Sequence, residues 1–218
     1  MTHEPSGSSR VAVKVDIVII GAGQAGLSCA YHLHRLGLVP DKDFIMFDQS
    51  PQPGGAWQYR WPSLTLATAN RVHDLPGMRF EEAVDTGQGD VKASKAVPEY
   101  YTRYESRFDL RVHRPVIVNV VCDRGARMRI ETDRAGVFST RGILNATGTW
   151  ETPYIPSYQG AELFMGRQLH TKDYRTAAEF SGKHVVIVGG GISAIQLLGE
   201  ISRVTSTTWV TREPPQFR

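Results

Sequence analysis

Gly21-Ala22-Gly23-Gln24-Ala25-Gly26 follows a run of β-branched residues, VDIVII (15–20), and opens a helix-forming stretch. Gly189-Gly190-Gly191-Ile192-Ser193-Ala194 follows HVVIV (184–188) and does the same. This spacing suits a backbone that has to close around phosphates. The first glycine of each set permits the tight turn, and the next-but-one removes a Cβ from the path of a pyrophosphate. The last place, Gly26 or Ala194, lets the helix pack close to its strand. Free N–H groups and a positive partial charge at the helix N-terminus then face the phosphates. After the first turn, the second strand ends in Asp48-Gln49, which offers a carboxylate to the hydroxyls of a ribose. The strand after the second turn, TTWVTR, ends instead in Arg212. A carboxylate repels a 2′-phosphate, whereas a guanidinium grips it with two charge-assisted hydrogen bonds, so the second turn is expected to favour NADP(H). The nucleotide-binding candidates are Gly21, Gly23, Gln24, Gly26, Asp48 and Gln49 for the first turn, and Gly189, Gly191, Ser193, Ala194 and Arg212 for the second. No metal site and no protein catalytic residue are assigned.

The elements that must position these turns can be read from periodicity. VDIVII reads as a buried parallel strand, residues 23–36 as the helix that Gly37 ends, and FIMFD (44–48) as the second strand of a βαβ unit. Residues 51–77, rich in Pro, Gly and Trp, read as an irregular loop wrapped over a ligand. VPEYYTRYESRFDL (97–110) has helical spacing, with Tyr100, Tyr104 and Phe108 on a face that packs into the core. Three β-rich runs, 112–123, 126–133 and 137–148, form a meander whose last member re-enters the parallel sheet.

Composition narrows the class. At 218 residues the chain can hold one sizeable core, or one domain and part of another, taking roughly 100–200 residues per domain. An apolar fraction of 41% and a charged fraction of 22% are those of a folded globular protein. The net charge of +3 is too small and too scattered for a nucleic-acid partner. The polar start MTHEPSGSSR, and the charges Lys14 and Asp16 in the apolar run after it, support neither a secretory signal nor a membrane span, so a cytoplasmic protein without a membrane partner is expected. Cys29 and Cys122 stand far apart, which removes a Cys-x-x-Cys redox pair and leaves two buried or incidental thiols.

Between the two glycine turns lies Phe164-x-Gly166-x-x-x-His170-x-x-x-Tyr174, which resembles the fingerprint shared by flavin-containing, N-hydroxylating and Baeyer–Villiger monooxygenases. PGGAW (53–57), NATGTWETPYIP (145–156) and FSGKHVVIVGGGISA (180–194) occur in the same order as in that family. The resemblance covers about residues 15–212 and implies that the first turn binds FAD and the second NADPH. It further implies that Gly55 and Trp57 belong to a loop crossing the flavin, that Thr147 and Gly148 form the crossover out of the first domain, and that the Val116 backbone meets adenine. His170 is implied to control domain placement rather than to act as a base. The Tyr-Pro-Gly segment usual in Baeyer–Villiger enzymes is absent after Trp57, which disfavours that branch.

The implied fold class is α/β: a doubly wound, parallel-sheet FAD-binding domain with a small β-meander, then the start of a second Rossmann-type domain for NADPH. The expected boundaries are a disordered N-terminus (1–13), the FAD domain (14–160), the fingerprint linker (161–182) and a partial NADPH domain (183–218). The implied reaction is transfer of one oxygen of O2 to a small-molecule substrate through a flavin C4a-hydroperoxide. Relatives continue with a Gly-Asp turn that this sequence lacks, so a C-terminally truncated protein is expected, with a cut sheet that favours homo-oligomers. Two other readings stay open: an inactive flavin- and dinucleotide-binding module, and a reductase that passes electrons to a protein or quinone.

Overall fold

The β-branched run before the first glycine turn is an inner strand of a six-stranded sheet in the computed structural model, which describes residues 12–85 and 90–214. Of the N-terminal segment 1–13, residues 1–11 lie outside the described residues. The chain runs β1 (Val13–Ile20), α1 (Gln24–Arg35), β2 (Phe44–Phe47), α2 (Phe80–Ala83), α3 (Ala93–Arg107), β3 (Val112–His113), β4 (Val118–Asp123), β5 (Met128–Thr132) and β6 (Val137–Asn145). The strand order is β3-β2-β1-β6-β5-β4. The pairs of β1 with β2 and β6, and of β2 with β3, are parallel, while β4, β5 and β6 form the antiparallel meander. As expected, the meander returns to the parallel sheet: β6 lies beside β1 from Val13↔Phe138 to Ile20↔Asn145. Val18 and Ile19 point to opposite faces of β1 and both are fully buried, which explains the apolar stretch 17–20.

Helix α3 starts four residues earlier than its periodicity predicts, and its aromatic face is used in packing. Tyr100 and Tyr104 are fully buried and Phe108 is half-buried. The Tyr100 hydroxyl accepts from the Leu75 N–H and donates to the Met78 carbonyl, both at 2.6 Å, and the Tyr104 hydroxyl donates to the Pro76 carbonyl at 2.7 Å. The two phenols thus hold the 75–78 turn against the helix, and burial pushes both of them up from the usual phenol value.

The chain divides into two compact units. The first gathers the chain up to Ala56, Asp74–Val84 and Pro98–Gly148; the second gathers Trp57–His73, Asp85–Val97 and the chain from Thr149 onward. The units interleave along the chain, and residues 57–73 give the physical reason. The second unit holds β7 (Val185–Val188), α4 (Ile192–Ile201) and β8 (Thr207–Val210), a parallel βαβ. Two strands and a helix cannot cover their own apolar surface. Trp61, Leu64 and Ala69 supply cover by packing with Ala93, Tyr174, Ile187, Ala194 and Ile201. The segment is irregular as expected, apart from a 3-10 turn at Gly55–Tyr59. Its side chains Trp61, Leu64 and Ala69 fill a protein core. Val186, Val188, Ile192 and Ile195 stay exposed. Among the described residues no helix is long and apolar enough to cross a membrane.

Candidate nucleotide-binding turns

In the first unit, three separate stretches converge on the turn between β1 and α1. Gly21 has φ +101°, and a side chain there would run into the Ala146 carbonyl of the turn after β6. A Cβ on Gly26 would run into the Gly21 carbonyl, so the helix can sit this close to its strand only without one. A Cβ on Gly55 would approach the Gly23 Cα to 3.0 Å, which places residue 55 against the turn. Asp48, one residue past β2, is buried. One carboxylate oxygen accepts the Ala22 N–H at 2.6 Å, the other accepts the Ser50 N–H at 2.7 Å, and its own carbonyl accepts the Val116 N–H at 2.8 Å. Asp48 therefore braces the glycine turn and carries Val116 beside it. The Val116 amide is thereby engaged. Gln24, Gln49, Thr147 and Gly148 are exposed. The Thr147 hydroxyl donates to Asn145 Oδ1 at 2.9 Å, which fixes the turn that abuts Gly21.

The second unit repeats the design between β7 and α4. Gly189 has φ +125°, the left-handed turn that Gly21 makes in the first unit, and Ala194 is buried against the core. Ser193 is half-buried in the first turn of α4. The Thr211 side chain lies next to Gly190, and the exposed Arg212 follows it, two residues beyond β8. Asp48 stands one residue past its strand and is buried, so the two strand-end residues are alike in role only by sequence position.

The fingerprint residues do separate jobs. Gly166 lies under the Phe164 ring, where a Cβ would come within 2.5 Å of a ring carbon; the F-x-G pair is thus a packed turn. His170 Nδ1 accepts the Lys172 N–H at 3.2 Å and caps the short 3-10 turn Thr171–Asp173. A ring nitrogen that accepts in this way carries no proton, so the neutral ring has its proton on Nε2. Tyr174 is buried edge-on to Trp61, and its hydroxyl donates to Glu200 Oε2 at 2.8 Å. Burial first, and the Glu200 carboxylate second, push this phenol well up, so the proton stays on the tyrosine.

Glu200 escaped the sequence reading. On α4 it also accepts Trp61 Nε1–H at 2.7 Å and the Ser63 hydroxyl at 2.8 Å, and nearby Gln196 donates to the Thr68 carbonyl at 2.9 Å. The available signal was the apolar spacing of Trp61, Leu64, Leu66 and Ala69, which is that of a buried segment rather than an exposed loop. Replacing Glu200 by leucine leaves a buried indole N–H and a buried phenol without an acceptor, and is expected to destabilise the second unit by about 2–4 kcal/mol. Glu200→Gln keeps one acceptor and loses about 1 kcal/mol. Urea unfolding midpoints of the two variants measure the difference.

Known proteins share this arrangement. A family described as pyridine nucleotide-disulphide oxidoreductase matches residues 18–218. The chain is 32% identical over 190 residues to an uncharacterized oxidoreductase, CzcO, of Bacillus subtilis strain 168, covering 86% of this chain and 52% of that protein. It is 30% identical over 205 residues to CzcO of Bacillus velezensis, covering 93% and 56%. The solved structure of a flavin-containing monooxygenase from Stenotrophomonas maltophilia superposes with a TM-score of 0.83 at 39% identity, covering 94% of this chain and 60% of that one. The chain thus spans about half the length of the curated relatives it matches. With paired glycine turns, a braced strand-end acid and a match over nearly its whole length, the chain belongs to the pyridine nucleotide-disulphide oxidoreductase family, as a flavin-containing-monooxygenase-like member.

Proposed function

We propose that this protein serves an FAD- and NADPH-dependent monooxygenation of a small molecule, with FAD at the first glycine turn and NADPH at the second. The observation that carries the reading is the pair of helix-capping glycines. Gly23 and Gly191 have φ of −80° and −86°, which any residue can adopt, and a Cβ on either would meet nothing within 4 Å. The fold itself does not require glycine at these two places. The cleared space in front of two helix N-termini fits a pyrophosphate. Asp48 is the acid available to the FAD ribose, the Val116 carbonyl the acceptor available to adenine, and Arg212 the cation available to the 2′-phosphate.

A flavin held at the first turn by Gly23, Asp48 and Val116 would supply the redox chemistry, taking up hydride from the nicotinamide and activating O2 for transfer of one oxygen atom. The chain's own residues bind and orient. Cys29, on α1, and Cys122, on β4, are free and half-buried, so within this chain no disulphide is at hand to receive electrons. O2 is the acceptor that the name of the Stenotrophomonas relative supports. Flavin absorbance per chain and NADPH-dependent O2 uptake test the proposal; a colourless protein that consumes neither would overturn it. Replacing Arg212 by alanine removes two charge-assisted hydrogen bonds and is expected to raise the KM for NADPH by about 10- to 100-fold while sparing NADH. Equal losses for both coenzymes would remove Arg212 from the phosphate.

A further inference from the structure

Among the described residues, Arg60 is a cation without an acid. Nine arginines of the described residues form ion pairs: Arg79, Arg103, Arg107, Arg111, Arg114, Arg129, Arg134, Arg141 and Arg167. Arg60 forms none, although it is half-buried and its Nε is fully buried with no hydrogen-bond partner. Burial alone pulls the guanidinium down from its usual value, and no carboxylate opposes it. Two indoles frame the charge: Cζ lies 4.8 Å from the centre of the Trp150 ring and 5.7 Å from that of Trp57. Tyr59 stacks on Trp150 at 6.4 Å and 13°, which holds that ring in place. All four residues belong to the second unit. Aromatic faces offset part of the desolvation of a cation but offer no acceptor to its N–H groups. Buried donors are otherwise almost always matched, and a planar guanidinium fork matches an oxyanion.

We infer that Arg60, framed by Trp57 and Trp150, receives the oxyanion of a bound small molecule that has a flat, apolar body. A carboxylate on the oxygenation substrate and a phosphate of the nicotinamide nucleotide share this chemistry. As a statement about substrate class the inference rests on the monooxygenase reading; as a binding site it does not, so the two can fail separately.

Tryptophan fluorescence of the purified protein reads the site directly, with no turnover needed. Benzoate is expected to quench it saturably and to bind at least about tenfold more tightly than benzyl alcohol, its neutral counterpart. Arg60→Met abolishes that preference. Arg60→Lys keeps the charge and the packing but lacks the fork, and loses about tenfold in benzoate affinity. Circular dichroism of both variants reports whether they fold, and the lysine variant carries the test if the methionine variant does not. If NADPH and inorganic phosphate weaken in the Arg60 variants while benzoate never binds, the oxyanion is the nucleotide's phosphate and the site stands. Benzoate, phosphate and NADPH all binding the variants as they bind the wild type would overturn it, as would equal affinities for benzoate and benzyl alcohol.

Discussion

Gly23→Val is expected to fold and to be colourless. The space a Cβ would enter is empty of protein, so the substitution disturbs the chain by little more than the poor capping of valine, about 1 kcal/mol. The same branched side chain occupies the room in front of the α1 N-terminus, and flavin affinity falls by about 100-fold or more, equivalent to about 2.7 kcal/mol. Gly26→Ala is expected to do the reverse in order of events. Its Cβ collides with the Gly21 carbonyl, α1 is pushed off β1, and the protein loses its fold before flavin binding can be asked about. Flavin absorbance per chain beside a thermal melt separates the two variants. A yellow, fully loaded Gly23→Val protein would take the first turn out of the nucleotide site.

The second large effect lies in a buried ion pair. Arg114 grips Glu105 with two bonds, Nη1 to Oε2 at 2.6 Å and Nη2 to Oε1 at 2.8 Å, and the two side chains are only 12% and 13% exposed. Burial pushes the Glu105 carboxyl up, and Arg114 pulls it back in part. Arg114→Met removes that pull and leaves a buried carboxylate alone, at a cost of about 3–5 kcal/mol near pH 8. The pH dependence has a definite sign. With its folded value raised above that of the unfolded chain, Glu105 holds its proton more tightly when folded. Stability is therefore full below the ordinary glutamate range and is lost as pH rises through it to the folded value. Arg114→Met should thus be nearly tolerated at about pH 4 and fail progressively as the carboxylate ionises. Changing Glu105 to methionine as well should restore most of the loss, because an apolar pair of similar volume requires no desolvated charge. Denaturant midpoints across pH test this, and a cost that did not vary with pH would show that Glu105 stays ionised in the variant. Arg114 stands two residues before Val116, whose amide bonds to the Asp48 carbonyl, so flavin content should follow stability in the series.

Much of the fold was legible because it is written locally. The glycine turns, the strands before them and the helices after them depend on spacing within about twenty residues, and the β-meander on runs broken by turn residues. Asp48 could be picked out by its place at a strand end. Its bonds to the Ala22 and Ser50 amides could not, since they depend on how the turn closes over it. Glu200 was invisible for a different reason: its partners Trp61 and Ser63 are 139 and 137 residues away, and no periodicity within one element encodes such a pair. Tyr174 shows the limit between the two cases. The fingerprint marked the residue, but only the folded core shows that its hydroxyl ends on α4. Arg60 could have been noticed as an arginine among three aromatic residues, yet a sequence does not say which arginines lack acids.

The residues that complete the second unit's core are encoded more than a hundred positions before its strands, which limits how this protein can be taken apart. A polypeptide beginning at Thr149 would carry β7, α4 and β8 without Trp61 and Leu64, with Glu200 deprived of its indole partner and Ile187 and Ile201 deprived of their cover. Exchange of the second unit between relatives by a single crossover near residue 149 would pair one parent's segment 57–73 with the other parent's helix. Chimaeras of this kind should survive only where both parents place an indole, or another donor of equal reach, opposite the same acid. A working swap would need all three stretches of the unit, with Trp57–His73 and Asp85–Val97 travelling alongside the chain from Thr149 onward.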